Sequence, residues 1–104
     1  MTTYKQIEPL DFLKKRKSDS LTIIDIREPY ELQELPFSGC VNIPMYVLLN
    51  NVNDLLKKDQ SYYILCHHGQ RSHYVTEQLT ILGYNVINVI GGVDLVNRFD
   101  SLKR

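Results

Sequence analysis

Three short apolar runs stand out along the chain: LTIIDI (21–26), SYYILC (61–66) and NVINVI (85–90). β-Branched and aromatic residues dominate them, and their apolar positions run on instead of alternating strictly with polar ones. A strand with one wet face alternates, whereas a continuous run predicts a strand covered on both faces, as in a parallel sheet. NVINVI is the least regular of the three and ends on the pair Gly91 and Gly92.

The segments between these runs carry helical spacing. Pro9 can open a first helix, where its missing N–H costs no intrahelical bond, and Leu10 and Leu13 then share a face. Leu48, Val52 and Leu55 recur at i, i+4, i+7, and Val75, Leu79 and Leu82 repeat that spacing. Gly83 follows the last of these as a C′ residue suited to the left-handed conformation. Strands alternating with helices predict an α/β fold, a parallel sheet with right-handed crossovers. In such sheets ligands bind beyond the carboxyl ends of the strands. Cys66 stands at one such end, and Asp25 and Arg27 at another.

Composition narrows the field. The chain has 104 residues, 43% of them hydrophobic, with 12 Lys and Arg against 12 Asp and Glu. That length suits one domain over residues 1–104 with a single core. The even charge gives no reason to expect a nucleic acid or a membrane as partner. The basic cluster KKRK (14–17) reads as the solvated end of the first helix, where the helix dipole favours cations. No apolar run approaches the ~20 residues of a membrane span. The opening MTTYKQIEPL has no hydrophobic stretch of signal-peptide type. A cytoplasmic location is expected, where thiols stay reduced. Cys40 and Cys66 are then read as buried or reactive thiols before they are read as a disulfide.

The chemistry gathers in CHHGQR (66–71), followed by Ser72 and a helical pattern. A loop that wraps from a strand into a helix can turn successive N–H groups inward as an anion-binding nest. Gly69 supplies a position free to take positive φ. The helix N-terminus adds partial positive charge and Arg71 a full one. Each favours thiolate over thiol at Cys66, so a nucleophile in an anion cradle is expected. A buried cysteine before an ordinary polar turn would account for Cys66 alone, not for Gly69 and Arg71 arriving together. Cysteine-dependent phosphatases use Cys-x5-Arg; here four residues separate Cys66 from Arg71. The smaller ring of amides suits one extra sulfur atom better than a phosphoryl group.

This loop with Ser72 resembles the Cys-x-x-Gly-x-Arg-Ser active-site loop of the rhodanese family, the sulfurtransferases. DIREPYEL (25–32) is similar to the family's Asp-x-Arg-Glu segment, GCVNIP (39–44) to its Gly-Ala-x-Asn-Ile-Pro segment, and Gly91 with Gly92 to its glycine pair. The resemblance runs in order over most of the chain and implies a five-stranded parallel sheet flanked by helices on both faces. There are departures. Leu35, Pro36, Phe37 and Ser38 stand where Gly-His-Ile-Pro is usual, Cys40 replaces an alanine, and Val96 lies near the place of a common tryptophan.

The resemblance implies that Cys66 takes sulfur as a persulfide and passes it to a thiol or cyanide, with no metal or organic cofactor. It makes Cys66 and Arg71 catalytic, with Arg71 also helping to bind an anionic donor such as thiosulfate. His67, His68, Gly69, Gln70 and Ser72 form the expected substrate-binding set, the backbone amides from His67 to Arg71 stabilising the persulfide. Asp25 and Arg27 have two readings, electrostatic support of the loop or a structural ion pair joining strand end to helix start, with Glu28. His67 and His68 are expected to point outward at the pocket mouth; a metal site would need four ligands. His73 is expected to be an exposed residue of the helix's first turn. Cys40 is read as a small hydrophobe at a strand start, or as a resolving thiol. Expected partners are thiosulfate, a low-molecular-weight persulfide, cyanide or a thiol, and a sulfur-relay protein. The alternatives are a non-enzymatic partner-binding module, or a phosphatase or arsenate reductase on a related fold.

Overall fold

Five strands form one parallel sheet in the computed structural model, which describes residues 3–102. They are β1 (Lys5–Ile7), β2 (Ile23–Asp25), β3 (Val41–Asn42), β4 (Ser61–Leu65) and β5 (Asn85–Val89), in the order β1-β5-β4-β2-β3. The connections hold α1 (Pro9–Ser18), α2 (Pro29–Glu34), α3 (Met45–Asn50), α4 (Val52–Leu55), α5 (Gln70–Ile81) and α6 (Gly92–Leu102).

The continuous apolar runs are explained by two cores, one on each face of the sheet. Ile24, Tyr62 and Ile64 pack with Leu48 of α3 and Val75 and Leu79 of α5. Their neighbours Ile23, Tyr63 and Leu65 turn the other way, against Phe12 and Leu13 of α1 and Val93 and Val96 of α6. Successive residues of a strand point to opposite faces, so a strand covered on both must be apolar throughout.

Several helix positions depart from the periodic expectation. Leu10 is exposed, and Phe12 joins Leu13 in the core instead. Asn51 interrupts the segment holding Leu48 and Val52, so the phase shifts: Leu55 is exposed and Leu56 buried. Leu82 is exposed because it is the C-cap of α5, after which Gly83 (φ 95°) reverses the chain as expected. β1 (KQI) and β3 (VN) lack the flanking apolar run that marks the three-residue β2.

Candidate active site

The parity that sends Tyr62 and Ile64 toward α5 sends Cys66 there too. The sulfur lies at the floor of the loop, its residue 1% exposed. It accepts the N–H of Gly69 at 3.0 Å and that of Ser72 at 3.4 Å, while the thiol donates to Ser72 Oγ at 3.3 Å. Of the amides expected around the sulfur, Gly69 therefore makes the close contact, joined by Ser72 from the first turn of α5. The single hydroxyl proton of Ser72 has two acceptors, Asn88 Oδ1 at 2.6 Å and Gly69 O at 3.2 Å. Asn88 is buried on β5, and nothing in its own neighbourhood of sequence marks it.

The loop owes its curl to two glycines. Gly69, the N-cap of α5, sits at φ 94°, and a β-carbon there would stand 2.8 Å from Gly91 N. Behind the loop, the free N–H groups at the start of α6 take up its carbonyls: Val93 N–H donates to Cys66 O at 2.8 Å and Asp94 N–H to His67 O at 3.1 Å. Gly92 permits that approach, since a β-carbon on it would lie 2.4 Å from Cys66 O. With those carbonyls held by α6, the far side of the loop can present N–H groups to the sulfur.

Arg71 turns to α2. Its Nη1 and Nη2 lie 2.9 and 2.7 Å from the two carboxylate oxygens of Glu31. The hydrogen bond from Arg71 pulls the Glu31 carboxyl down to about 2, against the opposing pull of burial, and Glu31 in turn raises Arg71. Glu31 further accepts the Glu28 N–H at 2.8 Å, closing a capping box at the start of α2. Sequence reasoning passed over Glu31; the signal available was the Glu28-x-x-Glu31 capping pattern after Asp25 and Arg27.

Asp25 and Arg27 are both fully buried and form a two-pronged pair, with Nε and Nη2 of Arg27 at 3.0 and 2.8 Å from the carboxylate. Arg27 Nη1 then donates to the carbonyls of Leu35 and Glu31 at 2.9 and 3.3 Å, capping the end of α2. The pair is an ion pair that does not involve Glu28, and it joins the end of β2 to the end of α2, not to its start. Its link to the loop is indirect, through the helix that carries Glu31. Asn42, from the GCVNIP segment, ties the same corner by donating to the carbonyls of Asp25 and Arg27, both at 2.9 Å.

The rings of His67 and His68 stack at 3.9 Å, and His68 is exposed with Asp94 3.7 Å away. Among the described residues no three His, Cys, Asp or Glu side chains gather as a metal-binding group. His73, in the first turn of α5, has 45% of its side chain exposed and lies 3.1 Å from the Tyr4 hydroxyl and 2.7 Å from Glu77. His68, Gly69, Gln70, His73 and Asn88 line an open cleft of about 530 Å³ beside the loop.

Cys40 is partly buried in the opposite core from Cys66, donates to Phe37 O at 3.2 Å, and has its thiol pushed up by burial. Val41 and Ile64 both stand opposite Ile24, so the cysteines are two strands apart and offset along them. Strand spacing alone separates them by about 10 Å, beyond the ~7 Å that a disulfide spans.

The chain and its fold have counterparts among known proteins. YrkF of Bacillus subtilis, provisionally named a sulfur carrier protein, is 37% identical over 84 residues, 79% of this chain. The chain spans only 45% of YrkF's length. YtwF of the same organism, provisionally named a sulfurtransferase, is 32% identical over 90 residues, 86% of each chain. The crystal structure of a rhodanese-related protein from Thermoplasma volcanium superposes with a TM-score of 0.81 at 32% identity, covering 92% of this chain and 93% of that one. Residues 8–98 match the model of the Rhodanese-like domain, and with the five-stranded parallel sheet and the curled cysteine loop in place, the chain belongs to the rhodanese family.

Proposed function

We propose that this protein is a sulfurtransferase that carries a sulfane sulfur as a persulfide on Cys66. One observation carries the reading: a buried cysteine sulfur accepts N–H groups from a tight loop at the N-terminus of α5. That setting stabilises an anionic sulfur, as fixed donors stabilise developing charge elsewhere. The names of YrkF, a sulfur carrier, and YtwF, a sulfurtransferase, support it.

In the charging step the Cys66 thiolate attacks the outer sulfur of the donor. The donor's S–S bond breaks as the new one forms, and its electron pair leaves with the rest of the donor, as sulfite from thiosulfate or as a thiolate from a persulfide. An acceptor thiolate or cyanide then attacks the outer sulfur of the Cys66 persulfide and restores the thiolate. Gly69 N–H and Ser72 N–H hold the Cys66 sulfur in place, and Ser72 and Asn88 fix the start of α5. No oxidant or reductant is consumed. The donors and acceptors fitting this chemistry are small sulfur compounds or a sulfur-relay protein in the cytoplasm.

Intact mass after brief incubation with thiosulfate or glutathione persulfide tests the reading. The wild type should gain one sulfur atom that reductant removes, and Cys66→Ser should gain none. An unchanged wild-type mass with both donors would sink it.

A further inference from the structure

Arg71 reaches the rim of the loop already engaged. Both of its terminal nitrogens face the Glu31 carboxylate, at 2.9 and 2.7 Å, and that carboxylate is locked in turn by the Glu28 N–H. Glu31 has little freedom to withdraw, with a side chain only 13% exposed. The other charges around the loop are matched as well. Asp25 and Arg27 cancel in the core at 2.8 Å, and Asp94 stands 3.5 Å from Arg98 and 3.7 Å from His68. Glu28 adds a carboxylate at the start of α2. Among the described residues around the loop, what remains to attract an anion is the loop N–H groups and the start of α5.

Two donor classes differ in what they ask of this rim. Thiosulfate arrives as a dianion and leaves a dianion, sulfite. A hydropersulfide R–S–SH carries at most one negative charge on its sulfurs and leaves a thiolate. Because an S–S bond is only ~2 Å long, whatever is bonded to the transferred sulfur stops close above the buried Cys66. A sulfonate placed there finds Arg71 with both terminal nitrogens already taken by the Glu31 carboxylate; a carbon-bound sulfur has no such need of a cation.

We infer that Glu31 sets the donor class: by holding Arg71 in a neutral pair, it makes carbon-bound persulfides the preferred donors over thiosulfate. The inference rests on the sulfur-transfer reading above. In the preferred step the Cys66 thiolate attacks the outer sulfur of R–S–SH, the donor S–S bond breaks, and its pair departs on R–S⁻. The outer sulfur keeps its proton, giving Cys66–S–SH.

The test follows single-sulfur gain on Cys66 by quenched time courses and intact mass, using the full chain as wild type and Glu31→Gln. Thiosulfate and glutathione persulfide are compared at low and high salt. In the wild type, glutathione persulfide should charge Cys66 roughly tenfold faster or more, and added salt should not slow thiosulfate, since like or absent net charge gives no steering to screen. In Glu31→Gln the thiosulfate-to-persulfide rate ratio should rise roughly tenfold, with thiosulfate now slowed by salt. Equal or faster wild-type charging by thiosulfate, or a steep salt-induced fall, would overturn the inference while leaving sulfur transfer standing. So would an unchanged ratio in the variant. If Glu31→Gln does not fold, the wild-type salt dependence decides alone. No charging by either donor would remove the sulfur-transfer reading and this inference together.

Discussion

Glu31 and Arg71, 40 positions apart in sequence, meet through two hydrogen bonds at the mouth of the cysteine loop. The pair ties the first turn of α2 to the first turn of α5, and it gives the fold an acid-sensitive contact. Glu31 is held at about 2, mainly by Arg71, against an ordinary value of 4.5. A depressed carboxyl stabilises the folded state fully above its unfolded value and loses that contribution as pH falls toward its folded one. The stability lead of wild type over Glu31→Gln should therefore be constant above about pH 5 and shrink as pH falls from about 4.5 toward 2. Because Arg71 is 36% exposed and screened by water, the lead should be about 1 kcal/mol or less. Urea unfolding across that range measures it, and a lead independent of pH would mean the pair does not form.

Arg27 should behave as a structural residue. Both members of its pair are fully buried, so Arg27→Met leaves the Asp25 charge stranded and should cost about 3–5 kcal/mol. Adding Asp25→Val removes the stranded charge and should recover a substantial part of that loss. Recovery will be incomplete, because Arg27 also holds the Leu35 and Glu31 carbonyls. Urea midpoints of the three variants check this. A small effect of Arg27→Met alone would contradict it.

Gly92→Ala drives a β-carbon to 2.4 Å from Cys66 O on a backbone at φ 64°. Neither atom can yield without moving the loop or α6. We expect a loss of about 1–3 kcal/mol from the strained backbone alone. Alkylation of Cys66 should slow as well, because the carbonyls of Cys66 and His67 lose their anchors on α6. Iodoacetamide labelling followed by peptide mass mapping reads the second effect separately from the first.

Ser72→Ala deprives the buried Asn88 Oδ1 of its 2.6 Å partner and should cost about 1–3 kcal/mol. Asn88→Ala added to it should cost much less than Asn88→Ala alone, since the contact is already gone. A double-mutant cycle by thermal or urea unfolding shows whether the two are coupled. Additive losses would mean that the bond contributes nothing.

Cys40 should take no part in charging. It lies in the opposite core and two strands from Cys66. Cys40→Ser should gain one sulfur from glutathione persulfide at the wild-type rate, and burial should leave the Cys40 thiol slow toward alkylating agents at neutral pH. A disulfide between the two in non-reducing peptide maps would overturn the assignment.

Which parts of this could be read from the chain follows from the range of the forces involved. Apolar runs flanked by helical spacing are local, so the three central strands and the helices between them were legible, and with them an α/β sheet. The loop was legible for the same reason: Cys66, Gly69, Arg71 and Ser72 lie within one strand-to-helix turn. Where the local signal was short or broken, it misled. The edge strands β1 (KQI) and β3 (VN) lie in no apolar run, and Asn51 shifted the helical phase so that Leu56, not Leu55, reached the core.

By itself the sequence determined that a thiol would sit where a buried strand opens into a helix N-terminus, because alternation and turn chemistry act over a few residues. Only the tertiary structure decided what that thiol and its arginine would meet. Parallel order set β5 beside β4 and β2 on its other side, which brought Asn88 to Ser72 and carried α2 against the loop, where Glu31 neutralises Arg71. Pairings of that kind depend on which strands are neighbours, and no spacing along one chain encodes that.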